Sequence, residues 1–141
     1  MSQAKPYLRE ADVFACLTDA VVAPGDGLPA LDRTDAVGFL AGYLDASPRA
    51  NRIGLRAMLL ALEAGPLALG FGARLRRLPS PARHAYLSRL ERGPLAPLAQ
   101  ALEALAKLAY YGDDGVMRAL GYDPDAVVAR GRAVRREEAR W

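Results

Sequence analysis

The chain has 141 residues, 52% of them apolar, with a net charge of +3, one cysteine (Cys16) and one histidine (His84). That length and apolar content suit one folded domain with a real core and exclude a chain disordered by composition. A single cysteine excludes an internal disulfide and a cysteine metal cluster, and a zinc site built on His and Cys would have only two ligands to start from.

Helical spacing predicts a first helix from Leu8 to Val22, with Val13, Leu17, Ala20 and Val21 on one stripe and Phe14 beside it. The stretch APGDGLP, from Ala23 to Pro29, ends it. Thr34 is the expected N-cap of a second helix to about Ala46. In that helix Val37, Leu40, Ala41 and Leu44 form one stripe, and Phe39 and Tyr43 another. Ser47 as cap and Pro48 at the first helical position open a third helix to about Ala64. Its Ile53, Leu55, Met58, Leu59, Leu60 and Leu62 make it apolar around much of its circumference, so it is expected to be the central, most buried helix.

Gly65 to Ser80 reads as the longest irregular stretch. It is pinned by Phe71, Leu75 and Leu78, or else presented to a partner with Arg74, Arg76 and Arg77 at its rim. Ser80 and Pro81 open a fourth helix that Gly93 ends, with Arg89 and Arg92 complementing its dipole. A fifth runs from about Leu95 to Tyr111 on a narrow seam of Leu95, Leu98, Leu102, Leu105 and Ala109. Gly112 is expected to stop it in the left-handed conformation. Asp113 or Asp114 then caps a short helix carrying Val116, Met117 and Leu120. Asp123 and Pro124 open a last helix whose apolar content is thin: Val127, Val128, Val134 and Trp141. Such a helix is either a mobile tail or a docking element anchored by Trp141. Strand signals are poor. The expected architecture is all-α, a single-domain bundle of six to seven helices. It divides into a helical domain over 1–123 and a C-terminal helical extension over 124–141.

Little in the sequence points to catalysis. There is no nucleophile elbow, zinc-protease motif, phosphate loop, dinucleotide turn or haem-attachment motif. A Cys16–His84 dyad would need the two to meet in space. Cys16 reads as a small core residue and His84 as a surface or packing residue. The charge is uneven: residues 1–46 carry a net −4, residues 47–92 a net +7 and residues 93–141 a net of zero. Arginine clusters suit phosphate, carboxylates and protein interfaces alike. Arg49, Arg52 and Arg56 share one helix face and keep nucleic acid under consideration. The acidic turn after Tyr110 and Tyr111 argues against base stacking there. No apolar run reaches transmembrane length, and the opening residues show neither a signal peptide nor a twin-arginine pair, so a cytoplasmic location is expected.

The runs FGARLRRLPSPARHAYLSRLERG and LAPLAQALEALAKLAYYGDDGVMRALGYD resemble the gluconate 2-dehydrogenase subunit 3 family. The resembling features are Phe71, Leu78-Pro79 before an arginine-bearing helix, Tyr110-Tyr111 before a small acidic turn, and Leu120-Gly121-Tyr122-Asp123. LTDAVVAPGDGLP is similar to the family's first helix and its exit, and the likeness spans roughly residues 8–123. The resemblance implies a non-catalytic small subunit that binds and stabilises a large FAD-dependent oxidoreductase of the GMC type. FAD and the substrate site would lie in that partner, with no cofactor on this chain. Phe71, Arg74, Arg76, Arg77, Tyr110, Tyr111, Tyr122 and Trp141 are the expected partner-interface residues. The missing twin-arginine signal departs from the family pattern, which implies a cytoplasmic complex or export alongside a signal-bearing chain. The alternative is a stand-alone helical module that binds protein or nucleic acid.

Overall fold

A computed structural model of the chain describes residues 8–139. Seven α-helices and no strand are present among them: α1 (Leu8–Val22), α2 (Ala36–Ala46), α3 (Arg49–Ala68), α4 (Ser80–Glu91), α5 (Ala96–Tyr111), α6 (Asp114–Ala119) and α7 (Pro124–Glu138). Short 3-10 turns at Leu31–Arg33 and Leu75–Arg77 sit in the two longer connections. The all-α bundle is thus as expected. No described helix is long and apolar enough to cross a membrane.

The central helix is α1, not α3. Ala11, Val13, Phe14, Leu17, Thr18 and Ala20 of α1 are all buried, and α1 packs against α2, α3, α4 and α5. Apolar residues around a helix show what it is able to bury; which neighbours cover it is a tertiary matter. The core is completed by Leu40 and Leu44 of α2, Leu59 and Leu62 of α3, Tyr86 and Leu87 of α4, and Leu102 and Ala106 of α5. Leu75 and Leu78 reach in from the loop before α4. The buried Thr18 hydroxyl donates to the Phe14 carbonyl at 2.8 Å, so it enters the core with a partner. Two buried carboxylates are likewise paired. Glu10 takes the Arg56 Nε at 2.6 Å, and Glu63 takes the Arg76 Nε at 2.9 Å and the Arg76 backbone N–H at 3.3 Å. Burial pushes the Glu10 carboxyl up, but the Arg56 hydrogen bond and the positive charges of Arg56 and Arg9 outweigh it, leaving the group below the usual carboxylate range.

Several predicted helix ends shift. Asp35, not Thr34, caps α2 and accepts the Gly38 N–H at 3.2 Å, while Thr34 donates back to the Leu31 carbonyl. The Ser47 hydroxyl donates to the Tyr43 carbonyl at 2.7 Å, closing α2 instead of capping α3. Pro79 rather than Ser80 stands at the N-cap of α4, and its carbonyl accepts the Arg83 N–H. Gly112 is not left-handed: its φ is −81°, and it is glycine because a Cβ there would stand 2.6 Å from the Leu108 carbonyl oxygen. Asp113 caps α6 as expected and does more. One carboxylate oxygen takes the Gly115 and Val116 N–H groups, and the other takes the Asp35 N–H at 3.1 Å, tying the start of α2 to the start of α6. Asp123 caps α7, which contributes no buried residue.

Candidate functional site

The predicted end of α3 at Ala64 is overturned: the helix runs on through Gly65-Pro66 to Ala68. Proline inside a helix leaves the carbonyl four residues earlier without its N–H donor. Here that carbonyl belongs to Leu62, and the Tyr86 hydroxyl of α4 donates to it at 3.1 Å. Gly65 makes room for the hydroxyl, since a Cβ on Gly65 would collide with it. Burial pushes the Tyr86 phenol up to about 12, so it keeps the proton it donates. Phe71 lies edge-on to the Tyr86 ring, with centroids 5.7 Å apart. Gly70, at φ +84°, closes α3 in a Schellman stop: its N–H bonds to the Leu67 carbonyl, and the Phe71 N–H to the Pro66 carbonyl.

Only one face of this long helix is covered. Leu59, Leu62, Glu63 and Pro66 point inward. On the far side Ile53, Leu60 and Leu67, spaced seven residues apart, are 56%, 39% and 48% exposed. Between these two faces Met58, Ala61, Gly65 and Ala68 form one wall of an open groove. Ala85, Tyr86 and Leu90 of α4, with Leu98, Ala99 and Leu102 of α5, form the rest, and Leu95 stands at its end. The groove has a volume of about 910 Å³. A contiguous apolar surface of this kind marks an interaction site more often than a scatter of single exposed leucines does. Covering each half-exposed leucine or isoleucine would gain on the order of 1 kcal/mol.

Cations border this surface. Arg89 and Arg92 line the groove, Arg89 donating to the Leu69 carbonyl at 3.2 Å and Arg92 to the Ser88 carbonyl at 3.0 Å. Past Leu67, Arg74 and Arg77 line a second depression of about 630 Å³. Arg76 shares that depression but is committed within the chain to Glu63 and Asp12.

No protein-family model, curated protein or solved structure matches the chain. The resemblance to the gluconate 2-dehydrogenase subunit 3 family therefore stands on the residues quoted for it.

The residues expected at an interface have different placements. Arg74, Arg77, Tyr111 and Tyr122 are exposed, and Phe71 is half-buried. Tyr110 is a correction: its ring is fully buried and its hydroxyl donates to the Pro29 carbonyl at 2.7 Å, so it holds this chain's own first loop. Tyr111 packs edge-on against it. Trp141 lies outside the described residues. Cys16 and His84 form no dyad. The thiol faces the Leu75 carbonyl at 4.0 Å, and burial pushes its pKa up. The ring nitrogens of His84 meet the Ser80 and Ala20 carbonyls at 2.9 and 3.0 Å. Of the three arginines that kept nucleic acid under consideration, Arg56 is engaged by Glu10. No cluster of three or more metal-ligating side chains occurs among the described residues.

The sequence reading missed the groove. Its signal was present in Ala61, Gly65 and Ala68, which recur at helical spacing, but predicting a loop from Gly65 onward broke that strip in two. The α5 seam holds in part. Leu102 and Ala109 face inward with Ala99, Ala106 and Tyr110, and Leu105 packs against the core, while Leu95 and Leu98 turn toward the groove and Leu108 toward solvent.

One carboxyl pair joins α4 to α5. Burial, the hydrogen bond that protonated Glu103 donates to Glu91, and the Glu91 charge push Glu103 above the ordinary carboxylate range, against the opposing effect of Lys107. A raised folded-state value means that the folded chain binds this proton more tightly than the unfolded one. The pair therefore favours folding at acid pH, and that contribution is lost as pH rises through the raised value. Glu103→Gln should raise the melting temperature at neutral pH by roughly 1–2 °C and leave it unchanged in acid. A lower melting temperature at neutral pH would show instead that Lys107 makes the Glu103 charge stabilising.

Proposed function

We propose that this chain is a non-catalytic helical subunit that binds and stabilises a large FAD-dependent oxidoreductase subunit of the GMC type. The observation that carries the docking role is the uncovered apolar surface of α3, which runs from Ile53 through Leu60 to Leu67 and continues around the helix into the groove. A helix apolar on most of its circumference is stable in water when other elements cover it, and this chain covers one face. The identity of the partner is supported by the resemblance in the sequence. On this reading FAD and the reacting groups belong to the partner, and this chain contributes surface and stability.

The test is co-purification of the tagged full chain from its native host, with visible flavin absorbance read across the sizing column. A large yellow partner should co-elute with the wild type. Leu60→Asp/Leu67→Asp should reduce its recovery roughly tenfold or more while the variant's own melting temperature stays within a few degrees, since both side chains are already exposed. A colourless chain eluting alone, or recovery that the double variant leaves unchanged, would remove this reading.

A further inference from the structure

We infer that the groove between α3, α4 and α5 seats one amphipathic helix of the partner, apolar on the face it buries and acidic where it passes Arg89 and Arg92. The seat rests on the docking reading above and adds the chemistry of what is docked. Its walls are helices, whose backbone groups are satisfied within themselves, so they offer no sheet edge to an extended segment. An occupant of an apolar groove without such an edge must satisfy its own backbone, as a helix does.

Charge selects among helical occupants. Residues 47–92, which supply α3 and α4, carry a net +7, and no carboxylate among the described residues forms an ion pair with Arg89 or Arg92. Two copies meeting groove to groove would gather both sets of these arginines in one interface with no groove-lining carboxylate from either copy to offset them. The α7 helix of another copy is no better suited, because Arg130, Arg132, Arg135 and Arg136 outnumber its acids. A helix with carboxylates flanking its apolar face meets the arginines favourably, and such complementarity raises both specificity and association rate.

The experiment titrates the full chain into two fluorescently labelled helical peptides of about 18 residues. Both carry the same leucine-alanine face, one flanked by glutamate and the other by lysine. The glutamate peptide should bind at least about tenfold more tightly. Arg89→Glu/Arg92→Glu should invert that order, and Ala61→Trp, which fills the groove from an exposed position, should weaken both. Arg92→Glu alone serves as the gentler variant if the double one unfolds. Equal binding, no binding, or a preference that survives Arg92→Glu would overturn the inference. So would dodecanoate displacing the peptide at lower concentration than unlabelled peptide does, or a dimer of the chain that Ala61→Trp dissolves. A chain that shows the charge-dependent binding yet recovers no flavoprotein from its host keeps the groove and loses the flavoprotein. A chain that recovers the flavoprotein but treats the peptides alike keeps the partner and loses the groove.

Discussion

Tyr110→Ala should destabilise the chain by about 3–5 kcal/mol, whereas Tyr111→Ala beside it should cost less than about 0.5 kcal/mol. The two rings touch and are chemically identical, yet one is fully buried and the other is 42% exposed. Removing the first leaves a ring-sized void at the end of α5 and frees the loop whose Pro29 carbonyl it holds. Burial, with Tyr111 and Asp113 nearby, pushes the Tyr110 phenol up, so the hydroxyl stays protonated and donating. Tyr110→Phe keeps the ring and loses the bond, which should cost about 1–2 kcal/mol. Urea unfolding of the three variants separates these terms. Equal losses for Tyr110→Ala and Tyr111→Ala would mean that the doublet acts as one packing unit. If Tyr111→Ala also leaves recovery of the flavoprotein unchanged, Tyr111 is not a partner contact.

The second large effect is expected where α3 passes Tyr86. Helix propensity alone favours alanine over glycine by about 1 kcal/mol, so Gly65→Ala would ordinarily stabilise. Here the added methyl meets the Tyr86 hydroxyl, and a ring that moves aside gives up its hydrogen bond to the Leu62 carbonyl. A net loss of about 1–3 kcal/mol is expected. Tyr86→Phe should cost about 1–3 kcal/mol by itself, because the Leu62 carbonyl loses its donor. The two changes should be far from additive: with the hydroxyl gone, the Gly65→Ala penalty shrinks. Pro66→Ala supplies an independent check. It returns an N–H to α3 within reach of the Leu62 carbonyl, so Tyr86→Phe should cost less in that background than in the wild type. Three variants whose effects simply add would show that the hydroxyl, the glycine and the proline do not act together.

The same cluster gives the groove its shape. Gly65 and Tyr86 are both part of its wall, and a helix broken at Gly65-Pro66 would leave no wall beyond Ala64. Stability and the proposed docking surface therefore share residues at this point. That is why the docking tests use Leu60, Leu67, Ala61, Arg89 and Arg92, whose side chains contribute little to the core.

Much of this protein follows from local sequence. The helices, the stop at Gly121, and the caps at Asp113 and Asp123 all arise from bonds within a few residues, and those are readable in a linear pattern. The all-α class follows in the same way, from apolar residues spaced three and four apart. The tertiary structure alone decided that α1 lies at the centre, that α3 continues through a proline, that Tyr110 turns inward while Tyr111 stays out, and that α3 keeps an apolar face uncovered. Each depends on a partner distant in sequence: Tyr86 reaches Leu62 from 24 positions away, and Tyr110 reaches Pro29 from 81. Local pattern records what a side chain is able to do, and the packing of distant helices determines which of those capacities is used.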